Sequence, residues 1–225
     1  MSLRIENPPI TLRKLCLKKI RDAIKTGYFP AGKRLIERNL CEELGVSRSV
    51  VREVIRQLEV EGLIEVLPKK GPIVSFLNWD VACQIYDIKL LLEQNAVVAC
   101  ILNIGQEKNI EFDKLSYTIN NLSYLDEIDL IIYTSNKLYE IIFFTAGHHL
   151  AWQLLQNLNA RIGYLNITII NLARYRRLYF RFIKNVYEAI YIYKDINKAK
   201  CEIEKNINEA KIISNNILNA SHKLN

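Results

Sequence analysis

The chain has 225 residues, of which half are hydrophobic, and it carries a formal net charge of +7. This composition excludes a disordered chain and allows one large domain or two smaller ones with a sizeable core. The longest uncharged run, residues 141–160, contains several His, Gln and Asn residues and is too polar to span a membrane. The N-terminal segment lacks the apolar region of a secretory signal. Five separate cysteines without a CxxC motif are typical of free thiols in a reducing cytoplasm, so we expect a cytoplasmic protein.

Charge and turn residues divide the chain near residue 76. The first 76 residues contain 15 Lys and Arg against 9 Asp and Glu, whereas the remainder is nearly neutral. All five prolines lie at or before Pro72, which indicates many turns early and long helices later. We therefore expect a basic, anion-binding domain over residues 1–76 and a helical domain over residues 77–225.

Three helices and a hairpin are predicted within residues 10–76. An apolar stripe predicts a first helix that ends at Gly27, and a second, short helix runs from about Glu37 to Leu44. Ser47 is a good N-cap for a third helix. That helix has a single apolar face, formed by Val51, Val54, Ile55 and Leu58. Strands at 63–67 and 73–76 flank a turn at 68–71.

The rest of the chain reads as about six helices. The predicted ranges are about 79–103, 107–124, 127–146, 149–170, 174–193 and 195–219, with Asp195 as the N-cap of the last helix. The whole chain is thus mainly α: an N-terminal winged helix-turn-helix with a small β-hairpin, followed by an all-α helical bundle. Several of these helices are apolar on more than one side, as expected for a bundle that also forms a dimer.

The exposed side of the third helix carries the residues that indicate DNA binding. Because the major groove admits one α-helix, a row of exposed basic side chains on such a helix can reach base edges and phosphates. The predicted contacts on this helix are Arg48, Ser49, Arg52 and Arg56. Arg38 lies in the first turn of the second helix, and the N-terminus of a helix can bind phosphate. Lys69 and Lys70 lie at the tip of the hairpin.

Residues 12–76 resemble the GntR family of bacterial regulators. The similarity lies in the pattern Gly27-x-x-Pro30-x-Gly32-x-x-Leu35-x-Glu37-Arg38, followed by Leu44-Gly45-Val46-Ser47-Arg48-x-x-Val51-Arg52-Glu53 and by Gly62-Leu63. The resemblance implies DNA contacts from Arg38, Arg48, Ser49 and Arg52, and from Lys70 and Gly71 in the wing. Two positions differ from the pattern: Ile36 replaces a capping serine, and Val50 replaces a proline.

The second half resembles the FadR-like branch of that family, whose C-terminal FCD domain is an effector-binding helical bundle. The resemblance rests on Tyr86-x-x-Lys89-x-x-x-Glu93 and on Ala189-Ile190 with Asp195-x-x-x-Ala199. It implies a divalent metal held by one Asp and three His. The corresponding positions here are Ser135, Tyr139, Ile183 and Asn206, so we expect no metal and no other cofactor.

The same resemblance implies that four polar side chains point into the helical bundle, namely Lys89, Ser135, Tyr139 and Asn206. These are the predicted effector-binding residues, for an organic acid or a more apolar metabolite. Arginine is usual where Lys89 stands, and lysine keeps the charge but loses the bidentate geometry. The alternative is that Tyr139 and Ile183 fill the cavity and that no ligand binds.

Two functional hypotheses remain at this point. One is a homodimeric transcriptional regulator that binds a double-stranded DNA operator and senses a small molecule. The other is a ligand-independent dimeric DNA-binding or architectural protein. An enzyme is not expected, because no nucleophile, phosphate-binding or metalloprotease motif is present. The arginine-rich stretch 174–181 allows a second nucleic-acid surface, but its amphipathic spacing favours a solvated or dimer-edge face.

Overall fold

The computed structural model describes residues 12–105, 110–121 and 128–222, with side chains up to residue 220. The chain divides into two compact units, Met1–Leu77 and Asn78–Asn225.

The first unit contains three helices: α1 (Leu12–Lys25), α2 (Glu37–Leu44) and α3 (Arg48–Val60). The predicted stripe of α1 buries Cys16, Ile20 and Ile24 against α3. Between α2 and α3, Gly45 adopts the left-handed conformation with φ of 65°, which glycine tolerates without steric cost. The helix-turn-helix order expected from the sequence is confirmed.

A β-hairpin follows, but its strands differ from the predicted ones. β1 spans Ile64–Leu67 and β2 spans Gly71–Val74, paired antiparallel so that Ile64 lies opposite Val74 and Leu67 lies opposite Gly71. The prediction that Gly71 belongs to the turn and that the second strand extends from Ile73 to Phe76 was wrong. Backbone pairing with β1 determines these limits, and side-chain alternation alone cannot reveal it.

Residues 32–35 pair with the other side of β2. The Leu35 amide donates to the Pro72 carbonyl at 2.9 Å, and the Val74 amide donates to the Lys33 carbonyl at 3.0 Å. This short segment therefore connects the loop after α1 to the hairpin. The sequence did not predict it, because the segment has neither the length nor the alternation of a strand.

A half-buried ion pair joins α1 to the end of α3. Arg21 donates from Nε to Glu61 Oε2 at 2.8 Å, and Gln57 donates to Glu61 Oε1 at 3.0 Å. The Glu61 side chain is only 5% exposed, so its hydrogen bonds to Arg21 are shielded from water. They hold the end of α3 against α1.

The second unit is all helical. Its helices are α4 (Trp79–Asn103), α5 (Ile110–Asn121), α6 (Ile128–Thr145), α7 (His149–Arg161), α8 (Gly163–Asn171), α9 (Ala173–Tyr187) and α10 (Ile196–His222). α4 packs most extensively against α10, and these two long helices with α6 and α9 enclose the core. In the part of the chain that the structure describes, no helix has both the length and the hydropathy needed to cross a membrane.

Two of the predicted helix ranges need correction. The range 149–170 is two helices, because the wholly buried Ile162 leaves helical geometry, with φ of −97° and ψ of 13°, immediately before Gly163. The range 174–193 ends in a π-helical turn, Glu188–Ile192. The predicted N-cap at Asp195 is confirmed, since its carboxylate accepts from the Lys198 amide at 2.9 Å. The predicted helix ends that fall at 106–109 and 122–127 lie outside the described residues.

Candidate nucleic-acid interface

The helix α3 is built to present one face to solvent. The Ser47 hydroxyl accepts from the Val50 amide at its start, and Val51, Val54 and Leu58 are completely buried beneath it. The opposite side exposes Arg48, Ser49, Arg52 and Arg56, all four of which are sequence-predicted contacts. The three arginines are spaced four residues apart and therefore form a single row.

Within this row, the arginines differ in their contacts. Arg48 and Arg56 form no hydrogen bond or ion pair with any described residue. Arg52 donates from Nε to both carboxylate oxygens of Glu37, at 2.9 and 3.1 Å. Because only Nε is used, the terminal amino groups of Arg52 remain available to a ligand. Ser49 shares a hydrogen bond of 2.8 Å with Ser47.

The start of α2 is also open to solvent. Ile36 is its N-cap residue and has no side-chain cap, which is consistent with the missing serine noted in the sequence. Arg38 is exposed and pairs with Glu42 at 3.0 Å within the same helix. Its guanidinium and the first amide groups of α2 could both meet a phosphate.

The turn of the hairpin carries the remaining predicted contacts. Lys69 has a positive φ of 66° and Lys70 donates its amide to the Leu67 carbonyl at 3.2 Å, which closes the turn. Both lysine side chains are exposed, and Gly71 begins β2 beside them. All eight predicted DNA contacts therefore belong to the first unit, and the Glu37–Arg52 contact directly links α2 to α3.

Each of the predicted effector residues of the second unit forms a hydrogen bond with another side chain of that unit. Lys89 donates to Glu93 at 2.9 Å and to Asn159 at 2.7 Å. The hydroxyl of Tyr139 donates to the other oxygen of Glu93 at 2.6 Å. Since the Glu93 side chain is only 2% exposed, its charge is compensated mainly by Lys89.

The other two predicted effector residues each contact a tyrosine of α9. Ser135 shares a hydrogen bond of 2.6 Å with Tyr179, and the Tyr175 hydroxyl donates to Asn206 Oδ1 at 3.1 Å. Burial raises the pKa of Tyr179 to about 12, although the Ser135 hydrogen bond opposes the shift. Burial likewise raises the pKa of Tyr139 and of Tyr175 well above the ordinary value, so all three phenols are neutral, and Tyr139 and Tyr175 act as donors.

The four positions where the resemblance implied a metal do not fit one. Ser135 and Tyr139 are hydrogen-bonded to protein groups, Asn206 accepts from Tyr175, and Ile183 is buried without a donor atom. A divalent transition metal requires three or more His, Cys or carboxylate ligands. Within residues 12–105, 110–121 and 128–222, no three such side chains cluster closely enough to hold an ion.

Sequence reasoning missed four residues that determine these two regions: Glu37, Glu93, Tyr175 and Tyr179. Glu93 carried a usable signal, because it lies four residues after Lys89 on one helix face. The contact of Glu37 with Arg52 spans 15 residues, and the contacts of the tyrosines span 31 and 44. Such pairs depend on the packing of separate helices and have no local pattern.

Comparison with known proteins identifies the class of the first unit. Residues 16–74 match the family model described as bacterial regulatory proteins of the gntR family. The HTH-type transcriptional regulator YdhC of Bacillus subtilis is 31% identical over 151 residues, covering 66% of this chain and 67% of that protein. An HTH-type regulator from the ttuE-ttuC' intergenic region of Agrobacterium vitis is 39% identical over 74 residues. That alignment covers 33% of this chain and 43% of the Agrobacterium protein.

A solved structure extends the similarity to the complete fold. The structure of E. coli McbR/YncC superposes with a TM-score of 0.75 and 19% identity, covering 92% of this chain and 98% of that one. YdhC and McbR are HTH-type transcriptional regulators and not enzymes. The chain belongs to the GntR family of bacterial regulatory proteins, as a transcriptional regulator with a helix-turn-helix DNA-binding domain.

Proposed function

We propose that this regulator is a homodimer that reads a palindromic operator with α3 of each protomer in the major groove. The observation that supports the proposal is the row of exposed arginines on a capped helix whose opposite face is completely buried. A dimer places two such helices one DNA turn apart, which is the usual arrangement for helix-turn-helix proteins.

Each predicted contact then has a distinct role. Arg48, Ser49 and Arg52 lie in the first half of α3 and read base edges, for which arginine is suited by its bidentate geometry. Arg56 and Arg38 contact DNA phosphates on either side of the bases that are read. Lys69, Lys70 and Gly71 form the wing that reaches the flanking backbone or the minor groove.

We also propose that the C-terminal domain, residues 77–225, is an FCD-type domain that dimerises and senses a small molecule without a metal. Lys89, Ser135, Tyr139 and Asn206 are its proposed effector-binding residues, and each already has a protein partner. A ligand that entered among them would have to replace those hydrogen bonds. The need to replace these hydrogen bonds favours a second candidate function, in which the helical domain only dimerises. With or without ligand sensing, the proposed site of action is the cytoplasm, where bacterial operators lie.

Selection from a random pool of duplex DNA with the purified full chain tests the proposal. We expect enrichment of one inverted repeat, and we expect Arg48→Ala to weaken its binding by about 1–3 kcal/mol while relaxing the preference at one base pair. Lys18→Ala, an exposed lysine of α1, is the control and should leave the preference unchanged. Enrichment of no sequence, or the same motif with equal affinity for Arg48→Ala, would contradict the proposal.

A further inference from the structure

An open groove lies between α9 and α10 in the second unit. Its volume is about 360 Å³, which is within the range of small-molecule sites. Leu178 and Phe182 supply an apolar wall, and the hydrogen-bonded pair Tyr175–Asn206 supplies polar atoms. Because Asn206 accepts through Oδ1 only, its amide nitrogen is still able to donate to a ligand.

The groove also contains four charged side chains, two of which neutralise each other. Glu202 accepts from Lys205 at 2.9 Å and from Asn185 at 2.9 Å. Burial alone would raise the pKa of Glu202, but these hydrogen bonds hold it below its ordinary value, so the pair is ionised. Glu202 and Lys205 therefore contribute no net charge to the groove.

The other two charged side chains, Arg181 and Glu209, have no such compensation. Neither forms a hydrogen bond or an ion pair with any residue that the structure describes. Arg181 is exposed and Glu209 is half-buried, and both line the groove. The groove consequently offers one free cation and one free anion next to an apolar wall.

We propose that this groove binds a small zwitterion, with the ligand's carboxylate against Arg181 and its ammonium group against Glu209. This deepens the proposed ligand sensing, and it rests on the proposed function only in treating the second unit as the sensing part. A carboxylate pairs with a guanidinium through charge-assisted hydrogen bonds, and an ammonium group does so with a carboxylate.

The helix geometry also indicates how far apart the ligand's charges should be. Glu209 lies near Tyr175, because it follows Asn206 by three residues and its charge adds to the effect of burial on the Tyr175 pKa. Arg181 follows Tyr175 by six residues, which places it roughly 9 Å farther along α9. Because this spacing of the backbone positions exceeds the separation of the charges in an α-amino acid, we extend the proposal to an ω-amino acid or a dipeptide.

Isothermal titration of the purified full chain with a graded series of ligands tests this inference. The probes are glycine, 4-aminobutyrate and 6-aminohexanoate, with hexanoate and hexylamine as controls that carry a single charge. We expect 6-aminohexanoate to bind more tightly than glycine and at least about tenfold more tightly than either control, the ratio for one lost charged hydrogen bond. If none of the three amino acids binds, or if hexanoate binds as tightly as 6-aminohexanoate, the proposal is wrong.

Matched variants locate the binding to the groove. Arg181→Gln and Glu209→Gln should each weaken 6-aminohexanoate binding about tenfold or more. Arg174→Gln and Glu204→Gln change the same charges on exposed positions of the same helices outside the groove, and should have no effect. Unchanged binding by the first two variants would overturn the proposal. Operator binding is measured on the same samples: an unsubstituted protein that binds selected DNA but none of the amino acids rejects only the groove site, whereas one that fails to bind selected DNA rejects the proposed function.

Discussion

Arg52 on α3 donates from Nε to both carboxylate oxygens of Glu37 on α2, at distances of 2.9 and 3.1 Å. The contact orients the guanidinium of a proposed base-reading residue while leaving its terminal amino groups free. Both side chains are partly exposed, at 59% and 35%, so the pair contributes little to stability, and its effect is on the position of Arg52.

We expect Glu37→Gln to reduce discrimination between operator and unrelated DNA. Without the carboxylate, Arg52 samples more orientations, and the loss of one negative charge strengthens binding to any DNA. Fluorescence anisotropy with operator and scrambled duplexes should show roughly a tenfold smaller affinity ratio, about 1.4 kcal/mol. Glu43→Gln removes an equal charge from α2 at a position that contacts Tyr28 and should strengthen both affinities equally. An unchanged ratio in Glu37→Gln would show that Glu37 does not position Arg52.

Lys69→Ala should weaken binding to operator and to unrelated DNA by the same factor. The exposed Lys69 at the hairpin turn is proposed to contact phosphate, and such a contact carries no sequence information. The slope of log affinity against log salt concentration should become shallower by about 1. The control is again Lys18→Ala, which should keep the slope. A change of base preference in Lys69→Ala would instead indicate direct reading by the wing.

Glu93→Gln should destabilise the second unit substantially. The substitution leaves the Lys89 ammonium group, which is 12% exposed, without its carboxylate partner, and an uncompensated buried charge costs about 3–5 kcal/mol. Urea unfolding followed by circular dichroism measures this loss. Glu111→Gln affects the pair with Lys114, whose side chains are 65% and 70% exposed, and should cost less than about 1 kcal/mol. Equal costs for the two variants would show that Lys89 and Glu93 do not form a buried pair.

The free energy of unfolding should fall as pH rises above about 10, the pKa of an unfolded tyrosine. Burial raises the folded-state pKa of Tyr179 to about 12, so between these values the unfolded chain releases a proton that the folded chain retains. The contribution of the Tyr179 phenol to the free energy of unfolding is therefore complete below pH ~10 and is lost towards pH ~12. Tyr179→Phe should reduce this fall by about 1 kcal/mol at pH 11, in urea unfolding at several pH values. The exposed Tyr164→Phe serves as the control, and an identical pH dependence in Tyr179→Phe would contradict the assignment.

Local sequence patterns predicted the first unit well. The apolar spacing on α3, the Ser47 cap and the turn at Gly45 act within a few residues, and the structure contains each of them. The exposure of Arg48, Arg52 and Arg56 follows from the same spacing, because a helix that buries one face must expose the other. The resemblance to the GntR family rested on these residues, and the family comparison confirmed it.

Contacts between distant segments could not be predicted in the same way. The pairing of residues 32–35 with β2 and the break at Ile162 depend on which segments pack together. The interior of the second unit is a further case: the sequence directed Ser135, Tyr139 and Asn206 inward, but the structure alone supplied their partners.

By itself, the sequence determined that this chain is a winged helix-turn-helix regulator with a basic α3, since helix periodicity, capping and charge are local properties. Only the tertiary structure decided that Glu37 holds Arg52, that Glu93 is bound by both Lys89 and Tyr139, and that Arg181 and Glu209 share a groove. The physical reason is that hydrogen bonds and ion pairs act over about 3 Å, a distance that residues far apart in sequence reach only when their helices pack.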